Sequence, residues 1–277
     1  MLAASLPAQN VKPRPKRILA IGQANGFQHD AASTGMATMW KLGRETGLWD
    51  TYIRTDTQLI TKKKLGGNAK NLDYFDAVFF YTSGELTLDD SQRADLLAFV
   101  KQDGKGFIGS HSAIDTLYKW PEYGDMVGGY FDLHPWNQFQ ASVIVEDRDH
   151  PATRHFPPRF TILDEIYQVK AFSRANVRVL MRLDPDQTDL TNKNVHRATR
   201  TSRWRGFASM ARGGSSTRPL AIAPRFGNGL MFRRCGSKRR SGRWVSRRAT
   251  PRRGRCADYF ASGTAGFTKS GLASPKM

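Results

Sequence analysis

Cysteine is absent from the first 196 of the 277 residues, and the two cysteines of the chain are Cys235 and Cys256. The first 196 residues therefore contain no disulfide, no thiolate nucleophile and no cysteine-ligated metal. Acidic residues are scarce at the other end, where residues 197–277 carry 20 Lys and Arg but a single acid, Asp258. Residues 1–196 carry 23 residues of each charge. The net charge of +19 therefore belongs to the tail, which argues against nucleic-acid binding by the rest of the chain.

Long apolar runs and nucleotide motifs are also lacking. No apolar stretch has the length of a transmembrane helix. The segment from Gly22 to Gly26 lacks the G-x-G-x-x-G spacing, and no G-K-[ST] phosphate loop occurs. We therefore expect neither a membrane span nor a nucleotide site of these two kinds.

The N-terminus has two interpretations. Residues 1–16 begin small and apolar and then become polar and proline-rich. This resembles the end of a secretory signal peptide without its basic region and most of its apolar region, as if the start codon had been assigned too late. The protein would then be periplasmic or secreted. A disordered leader on a cytoplasmic protein explains the same composition equally well.

Apolar segments alternate with helix-like segments along the first half of the chain, which is typical of an open parallel sheet. We expect strands at 17–22, 50–54, 76–81 and 106–110, and further strands at 139–146, 160–169 and 177–183. Helices are expected at 31–46 and from Thr87, as N-cap, to Gly104. The prediction is a flavodoxin-like, mostly parallel α/β sheet with helices on both faces.

Three loops follow strands of this predicted sheet, and such sheets bind ligands beyond the carboxyl ends of their strands. The loops at 23–30, 82–86 and 110–116 would bring together His29, Glu85, His111 and Asp115. His111 directly follows the small residues that end the fourth strand. That corner is a place where α/β proteins expose a reactive side chain.

The candidate catalytic residues are His111, His29, Asp115 and Glu165. A neutral imidazole at His111 can take a proton from a sugar C–H or O–H, and a helix starting just after it would favour that neutral form. Alternatively, His111 holds the turn by hydrogen bonds and His29 caps the following helix. Asp115 and Glu165 are acid/base partners or orient the histidines. The candidate substrate-binding residues are Gly84, Glu85, His134 and Trp136.

Aromatic residues surround His134. Tyr130, Phe131 and Trp136 suit stacking against a sugar, and they suit a core flap equally well. The sequence requires no cofactor. Zinc bound by His29, His111 and His134 is an alternative. No ligand-spacing motif is present, so we predict no metal ligands.

The character of the chain changes at Arg197, where periodicity disappears and Arg, Gly and Ser dominate. One interpretation is a basic arm that binds RNA or DNA. We prefer an out-of-frame translation. Codons can be written for residues 201–236 that, read two letters on, encode a strand, a glycine turn, a strand ending in Leu-Gly-His and an amphipathic helix. The sheet would then lack its C-terminal part.

Several motifs resemble, in order, those of the ThuA-like (trehalose utilisation) family. They are Gly26-Phe-Gln-His-Asp30, Phe79-Phe-Tyr-Thr-Ser-Gly84, Gly106-Phe-Ile-Gly-Ser-His-Ser-Ala-Ile-Asp115, Trp120-Pro-Glu-Tyr-Gly124, His134-Pro135, Glu146-Asp-Arg-Asp-His-Pro-Ala152 and Asp164-Glu-Ile-Tyr167. The resemblance covers residues 17–196. The shifted-frame Leu-Gly-His segment is similar to the ending of that family.

This resemblance implies a fold similar to the class I glutamine amidotransferase domain. In those glutaminases the corner after the strand carries a nucleophilic cysteine, and here His111 stands at the corresponding corner. Because no cysteine precedes Cys235, glutaminase chemistry is excluded for residues 17–196. The family is associated with sugar metabolism, often beside oxidoreductases that act on disaccharides and their keto forms.

We therefore expect a leader at 1–16, a ThuA-like domain at 17–196 and a basic, low-order tail at 197–277. The expected function is acid/base chemistry on a sugar or keto-sugar, with a sugar oxidoreductase as a potential partner. The alternatives are a non-enzymatic sugar-binding module and nucleic-acid binding through the tail, the latter disfavoured.

Overall fold

The computed structural model describes residues 14–196, 208–211 and 221–223. Within these residues the helices and strands are, in chain order, β1 Lys16–Ile21, α1 Ala31–Thr46, β2 Trp49–Arg54, β3 Ala77–Phe80, α2 Asp90–Lys101, β4 Gly106–Ser110, α3 Pro121–Val127, β5 Tyr130–Leu133, β6 Gln138–Val145, β7 Arg159–Glu165, β8 Gln168–Lys170, β9 Val177–Leu183, β10 Ala208–Ala211 and β11 Ala221–Ala223. Short 3-10 turns lie at Leu72–Tyr74 and His111–Ile114.

One large sheet organises the described residues, with its nine strands in the order β2-β1-β3-β4-β11-β10-β9-β6-β7. From β2 to β11 every neighbouring pair is parallel, and from β11 to β7 every neighbouring pair is antiparallel. A separate two-stranded ribbon pairs β5 with β8. The predicted α/β class is confirmed. The predicted parallel pairing is found among the strands that precede β5 in the chain, which are β1 to β4.

Helices cover both faces of the parallel strands, as expected. Alternate residues of β1 and β3 point to opposite sides of the sheet because side chains alternate along a strand. Ile18, Ala20 and Phe79 pack with Met36 and Met39 of α1. The strand residues that alternate with them, Leu19, Ile21, Val78 and Phe80, belong to the larger cluster on the other face, together with Leu96 and Phe99 of α2.

The first helix has the predicted bounds, 31–46. It ends at Gly47, whose left-handed backbone lets its N–H donate to Gly43 O, a usual way to close a helix. The second helix starts later than predicted, so the N-cap assigned to Thr87 is wrong. Asp89 is the cap, because its carboxylate accepts from Gln92 N while the Gln92 side chain accepts from Asp89 N.

The strand expected at 160–169 is two strands, because Ile166 and Tyr167 separate β7 from β8. Strand β7 pairs with β6 in the large sheet, whereas β8 leaves that sheet and pairs with β5. Tyr167 therefore stands at the junction between the large sheet and the ribbon.

None of the helices among the described residues is long and apolar enough to cross a membrane. The predicted leader falls almost wholly outside the described residues. The predicted tail is described at β10 and β11, which pair with β9 and β4. The assignment of the tail to a shifted reading frame stays a prediction.

Candidate functional site

His111 lies at the carboxyl end of β4, in the middle of the parallel part of the sheet. Its φ of +45° is a left-handed backbone conformation that residues other than glycine seldom adopt. Its side chain is only 3% exposed. A strained backbone at a strand end is a feature of functional sites, where surrounding contacts stabilise it.

The segment after His111 is a four-residue 3-10 turn, His111–Ile114, and not an α-helix. The helix dipole that would favour a neutral imidazole at His111 is therefore missing. The protonation of this ring must be argued from the side chains that surround it.

Tyr167 connects the two loop histidines. Its hydroxyl oxygen lies 2.7 Å from Nε2 of His111 and 3.0 Å from Nε2 of His29. The two imidazole rings meet edge to face with their centroids 4.9 Å apart. The structure thus brings together the histidines of two predicted site loops, through a tyrosine that follows β7.

Glu165 places its carboxylate between His111 and His134. Its Oε2 lies 3.2 Å from His111 Nε2, and its Oε1 lies 3.8 Å from His134 Nδ1. A hydrogen bond from His111 lowers the pKa of Glu165; partial burial opposes this, and the charges of the nearby histidines lower the pKa further. Glu165 is therefore ionised at neutral pH. Its side chain is 25% exposed, so it can be reached from solvent.

His29 is partly buried, and this burial is the main cause of its lowered pKa. The nearby His111 lowers the pKa of His29 further, whereas Asp115 and Glu165 oppose the shift. The imidazole of His29 is consequently neutral at pH 7. The site thus combines a carboxylate held ionised with an imidazole held neutral.

Residues 130–137, the aromatic flap, cover one side of this cluster. The Phe131 ring lies 4.4 Å from the Tyr167 ring and stacks on His134 at 5.9 Å, centroid to centroid. His134 Nδ1 lies 3.2 Å from Asn137 Oδ1, and its side chain is 46% exposed. His134 therefore faces solvent on the same side as the second oxygen of Glu165.

Residues 189–196, the strap, hold the flap in place. The predicted sugar-binding residue Trp136 packs its ring 5.5 Å from Phe139 and donates its indole N–H to Asp189 O at 2.7 Å. Asn192 donates its side-chain N–H to Pro135 O at 2.8 Å. These contacts give Trp136 a role in supporting the flap.

Gly84 joins the loops that carry His29 and His111. Its φ is +71°, and a Cβ added to it would lie 2.4 Å from Gly26 N. Its N–H donates to Asp115 O at 2.8 Å, and its carbonyl accepts from Leu117 N at 3.0 Å. Glycine is thus required here for the close approach of the two loops that carry these histidines.

Asp115 and Glu85 accept hydrogen bonds from donors of the surrounding loops. The Tyr118 hydroxyl donates a hydrogen bond to Asp115 Oδ1 at 2.6 Å. Burial, together with this carboxylate, raises the pKa of Tyr118. Glu85 accepts from Lys119 N at 3.0 Å. Asp115 also acts on His29 through its charge.

The family model for ThuA, trehalose utilisation, matches residues 17–233. The chain belongs to the ThuA family. The match continues beyond residue 196 into the segment that contains β10 and β11. The family description links the protein to carbohydrate utilisation.

Two solved structures share the fold of this ThuA-family chain. A ThuA-like protein from Bacteroides uniformis is 22% identical, with a TM-score of 0.52 over 66% of this chain and 73% of that chain. A ThuA-like protein from Parabacteroides merdae is 14% identical, with a TM-score of 0.55 over 76% of this chain and 78% of that chain. A search of curated proteins found no match.

His29, His111 and His134 of this ThuA-family site are the side chains that the zinc alternative would use. In the part of the chain that the structure describes, no group of three or more His, Cys, Asp or Glu side chains is arranged to hold a metal ion. The Tyr167 hydroxyl lies between the Nε2 atoms of His29 and His111, where a shared ion would have to lie. Zinc at these histidines was the alternative to a metal-free site, and it stays an untested alternative.

Phe131 was predicted as a sugar-stacking or flap residue, and it contacts Tyr167. Tyr167 is the site residue that the sequence analysis missed, although it ends the motif Asp164-Glu-Ile-Tyr167. Tyrosine is common in strands, so the residue was placed inside a strand predicted to continue to 169. The adjacent acids Asp164 and Glu165 were the available signal. Two carboxylates side by side in an apolar strand indicate that the strand ends there.

Proposed function

We propose that this ThuA-family protein performs acid–base chemistry on a sugar or keto-sugar, with Glu165 as the base that meets the substrate. The observation that carries the proposal is the position of the Glu165 carboxylate, in contact with buried His111 and open to solvent beside His134. A base must reach the proton it removes, and it must be unprotonated at the working pH. Glu165 meets both conditions.

The difference in exposure supports different roles for Glu165 and His111 in this proposal. The His111 side chain is 3% exposed and the Glu165 side chain 25%. Glu165 is therefore the more accessible of the two to a sugar, and in this proposal His111 acts through Glu165 or Tyr167. In this proposal His111 orients the carboxylate and keeps it ionised.

Aromatic rings support a sugar as the substrate. Phe27 is 72% exposed and meets the edge of His29 at 4.9 Å. On the other side of the cluster, Phe131 and His134 stack on each other. Apolar ring faces next to a few charged groups are typical of sites for small polar ligands, and the family description supports a carbohydrate.

Turnover of disaccharides and their keto forms by the full chain tests the proposal. Glu165→Gln keeps the shape of the side chain and removes the base, so kcat should fall by about 10²–10⁴-fold while KM changes little. Glu45→Gln is the matched control, because Glu45 lies on α1 and its exposed side chain contacts only Lys41 in the described ion pairs. Equal turnover by Glu165→Gln and wild type would refute the proposal.

A non-enzymatic sugar-binding module is the second candidate. The burial of His111 and its contacts with both Tyr167 and Glu165 favour this alternative, since such a histidine can also serve to hold the loops. Calorimetry distinguishes the two candidates. Heat of binding from a sugar that is recovered unchanged after long incubation would favour the binding module.

We also propose a periplasmic location, a sugar oxidoreductase as the source of the keto-sugar, and an out-of-frame origin for residues 197–277. The signal-like leader supports the first, and the abrupt change of charge supports the third. Fractionation of cells tests the location, and pull-down with the native protein tests the partner.

The DNA sequence at codons 196–201 tests the proposed out-of-frame origin of residues 197–277. An unshifted reading frame there would refute that proposal.

A further inference from the structure

We propose that Tyr167 is a proton carrier that links buried His111 to half-buried His29, so that the site can remove one proton from a substrate and return another. This inference deepens the proposed function and rests on it for the identity of the substrate. It assigns a role to a residue that contacts both histidines through one oxygen atom. Its basis is the pair of distances, 2.7 Å and 3.0 Å, from that oxygen to the two Nε2 atoms.

A tyrosine hydroxyl has one proton, so it can donate to one of these nitrogens and must accept from the other. Both distances are within the range of real hydrogen bonds. One ring therefore presents an Nε2–H to Tyr167, and the other presents an Nε2 lone pair. One hydroxyl thus requires that one of the two Nε2 atoms carries a proton and that the other does not.

Glu165 determines which ring carries the Nε2 proton. An ionised carboxylate only accepts hydrogen bonds, and its Oε2 lies 3.2 Å from Nε2 of His111. His111 therefore carries the Nε2–H, and the Tyr167 hydroxyl donates to His29. The neutral state of His29 agrees with this direction, because its burial lowers its pKa.

The proton movements form a closed cycle. At rest, Glu165 is a carboxylate, Nε2 of His111 carries a proton and His29 is a neutral imidazole. The substrate loses a proton from carbon or oxygen to Glu165, and Glu165 passes it to Nε2 of His111 as that nitrogen gives its own proton to Tyr167. Tyr167 in turn gives its hydroxyl proton to Nε2 of His29. His29 gives a proton to the substrate at oxygen or carbon, which restores the resting state.

The surroundings of the three rings are consistent with such transfers. Tyr81 lies 6.2 Å from His111 and 6.4 Å from His29 between ring centroids, and Asp115 acts on His29 through its charge. Glu165 and His134 are further titratable groups beside the relay. Partial burial reduces competition from water, which strengthens hydrogen bonds between the carriers.

Tyr167→Phe tests the relay, because it removes the hydroxyl and keeps the ring that packs on His111 and Phe131. The first measurement is ¹⁵N NMR of the histidine rings in the full chain without substrate. In wild type, Nε2 of His29 should lack a proton at pH 7, and the ¹⁵N signals of both rings should change together as pH falls, because both rings are hydrogen-bonded to one hydroxyl. In Tyr167→Phe the two rings should titrate in separate steps.

The second measurement is turnover. Tyr167→Phe should lower kcat by about a hundredfold and leave KM nearly unchanged, because only proton transfer is affected. Tyr52→Phe is the matched control, since it removes a hydroxyl that is hydrogen-bonded to Tyr74 at 2.8 Å and lies on β2. This control should keep wild-type kcat and wild-type histidine spectra.

Unchanged histidine titration in Tyr167→Phe would overturn the relay, as would a proton on Nε2 of His29 in wild type at pH 7. The NMR result does not depend on any sugar. Shared titration that is lost in Tyr167→Phe therefore supports the relay even where no sugar is turned over, and that combination would refute only the proposed function.

Discussion

The Glu165 carboxylate lies 3.2 Å from Nε2 of His111, and it is the partly exposed member of a pair whose other member is buried. This relationship connects the strained corner at the end of β4 to the solvent-facing side of the site. It also makes Glu165 the residue through which pH should act on the fold and on any chemistry.

Glu165 should stabilise the fold at neutral pH and lose this effect in acid. Its folded-state pKa is lowered, chiefly by the hydrogen bond from His111. For such a group the stabilisation is complete above the unfolded-state pKa, near 4.3, and disappears as pH falls through the lower folded-state value. Urea unfolding of wild type and Glu165→Gln from pH 7 to pH 3 should therefore converge in acid. A constant difference across this range would contradict the prediction.

His29 should make the protein less stable as pH falls below neutrality. Burial lowers its folded-state pKa, so the unfolded chain binds a proton on His29 at a pH where the folded chain does not. Stability is then retained above the unfolded-state pKa, about 6.5, and decreases as pH falls towards the folded-state value. His29→Gln should remove this part of the slope. Parallel stability curves for the two proteins between pH 7 and pH 5 would show the prediction to be wrong.

Much of the parallel half of the fold follows from the sequence. Helix 31–46 and strand 106–110 have their predicted bounds, since apolar periodicity and flanking glycines mark both. The approach of His29 and His111 also follows from the sequence, because parallel strands place their carboxyl ends at one edge. These features depend on local pattern and on one general rule of sheet topology.

The remaining part of the site depends on long-range packing. Tyr167 belongs to a segment with strand propensity, and only the pairing of β8 with β5 separates it from β7. Trp136 is aromatic and next to a histidine motif, yet its indole N–H finds a backbone carbonyl in the strap. Composition does not tell which partner such a ring takes, since stacking on a ligand and packing in a flap use the same residues.

The strap should control the order of the flap through Asp132. Its carboxylate accepts from Gln168 at 3.0 Å and pairs with Nδ1 of His196 at 2.6 Å, while His196 N donates to Gln168 Oε1 at 2.8 Å. Asp132→Ala leaves the buried Gln168 amide without this acceptor, which should cost about 1–3 kcal/mol. Hydrogen exchange should increase for amides of β5 and β8. Asp50→Ala, on the exposed part of β2, is the control, and equal exchange in both variants would remove the role of Asp132.

Gly84 should tolerate no side chain, because of its positive φ and because of its close contact with Gly26. Comparison with Gly47 separates these two effects. Gly84 and Gly47 have similar positive φ values, +71° and +63°, but a Cβ at Gly47 meets nothing within 4 Å whereas one at Gly84 would lie 2.4 Å from Gly26 N. Gly47→Ala should therefore cost only the left-handed backbone penalty, about 1–2 kcal/mol. Gly84→Ala should cost more, because two loop backbones must separate, and it should also disturb the histidine rings in ¹⁵N spectra. Thermal unfolding compares the two variants, and equal destabilisation would show that the contact between the loops does not position the site.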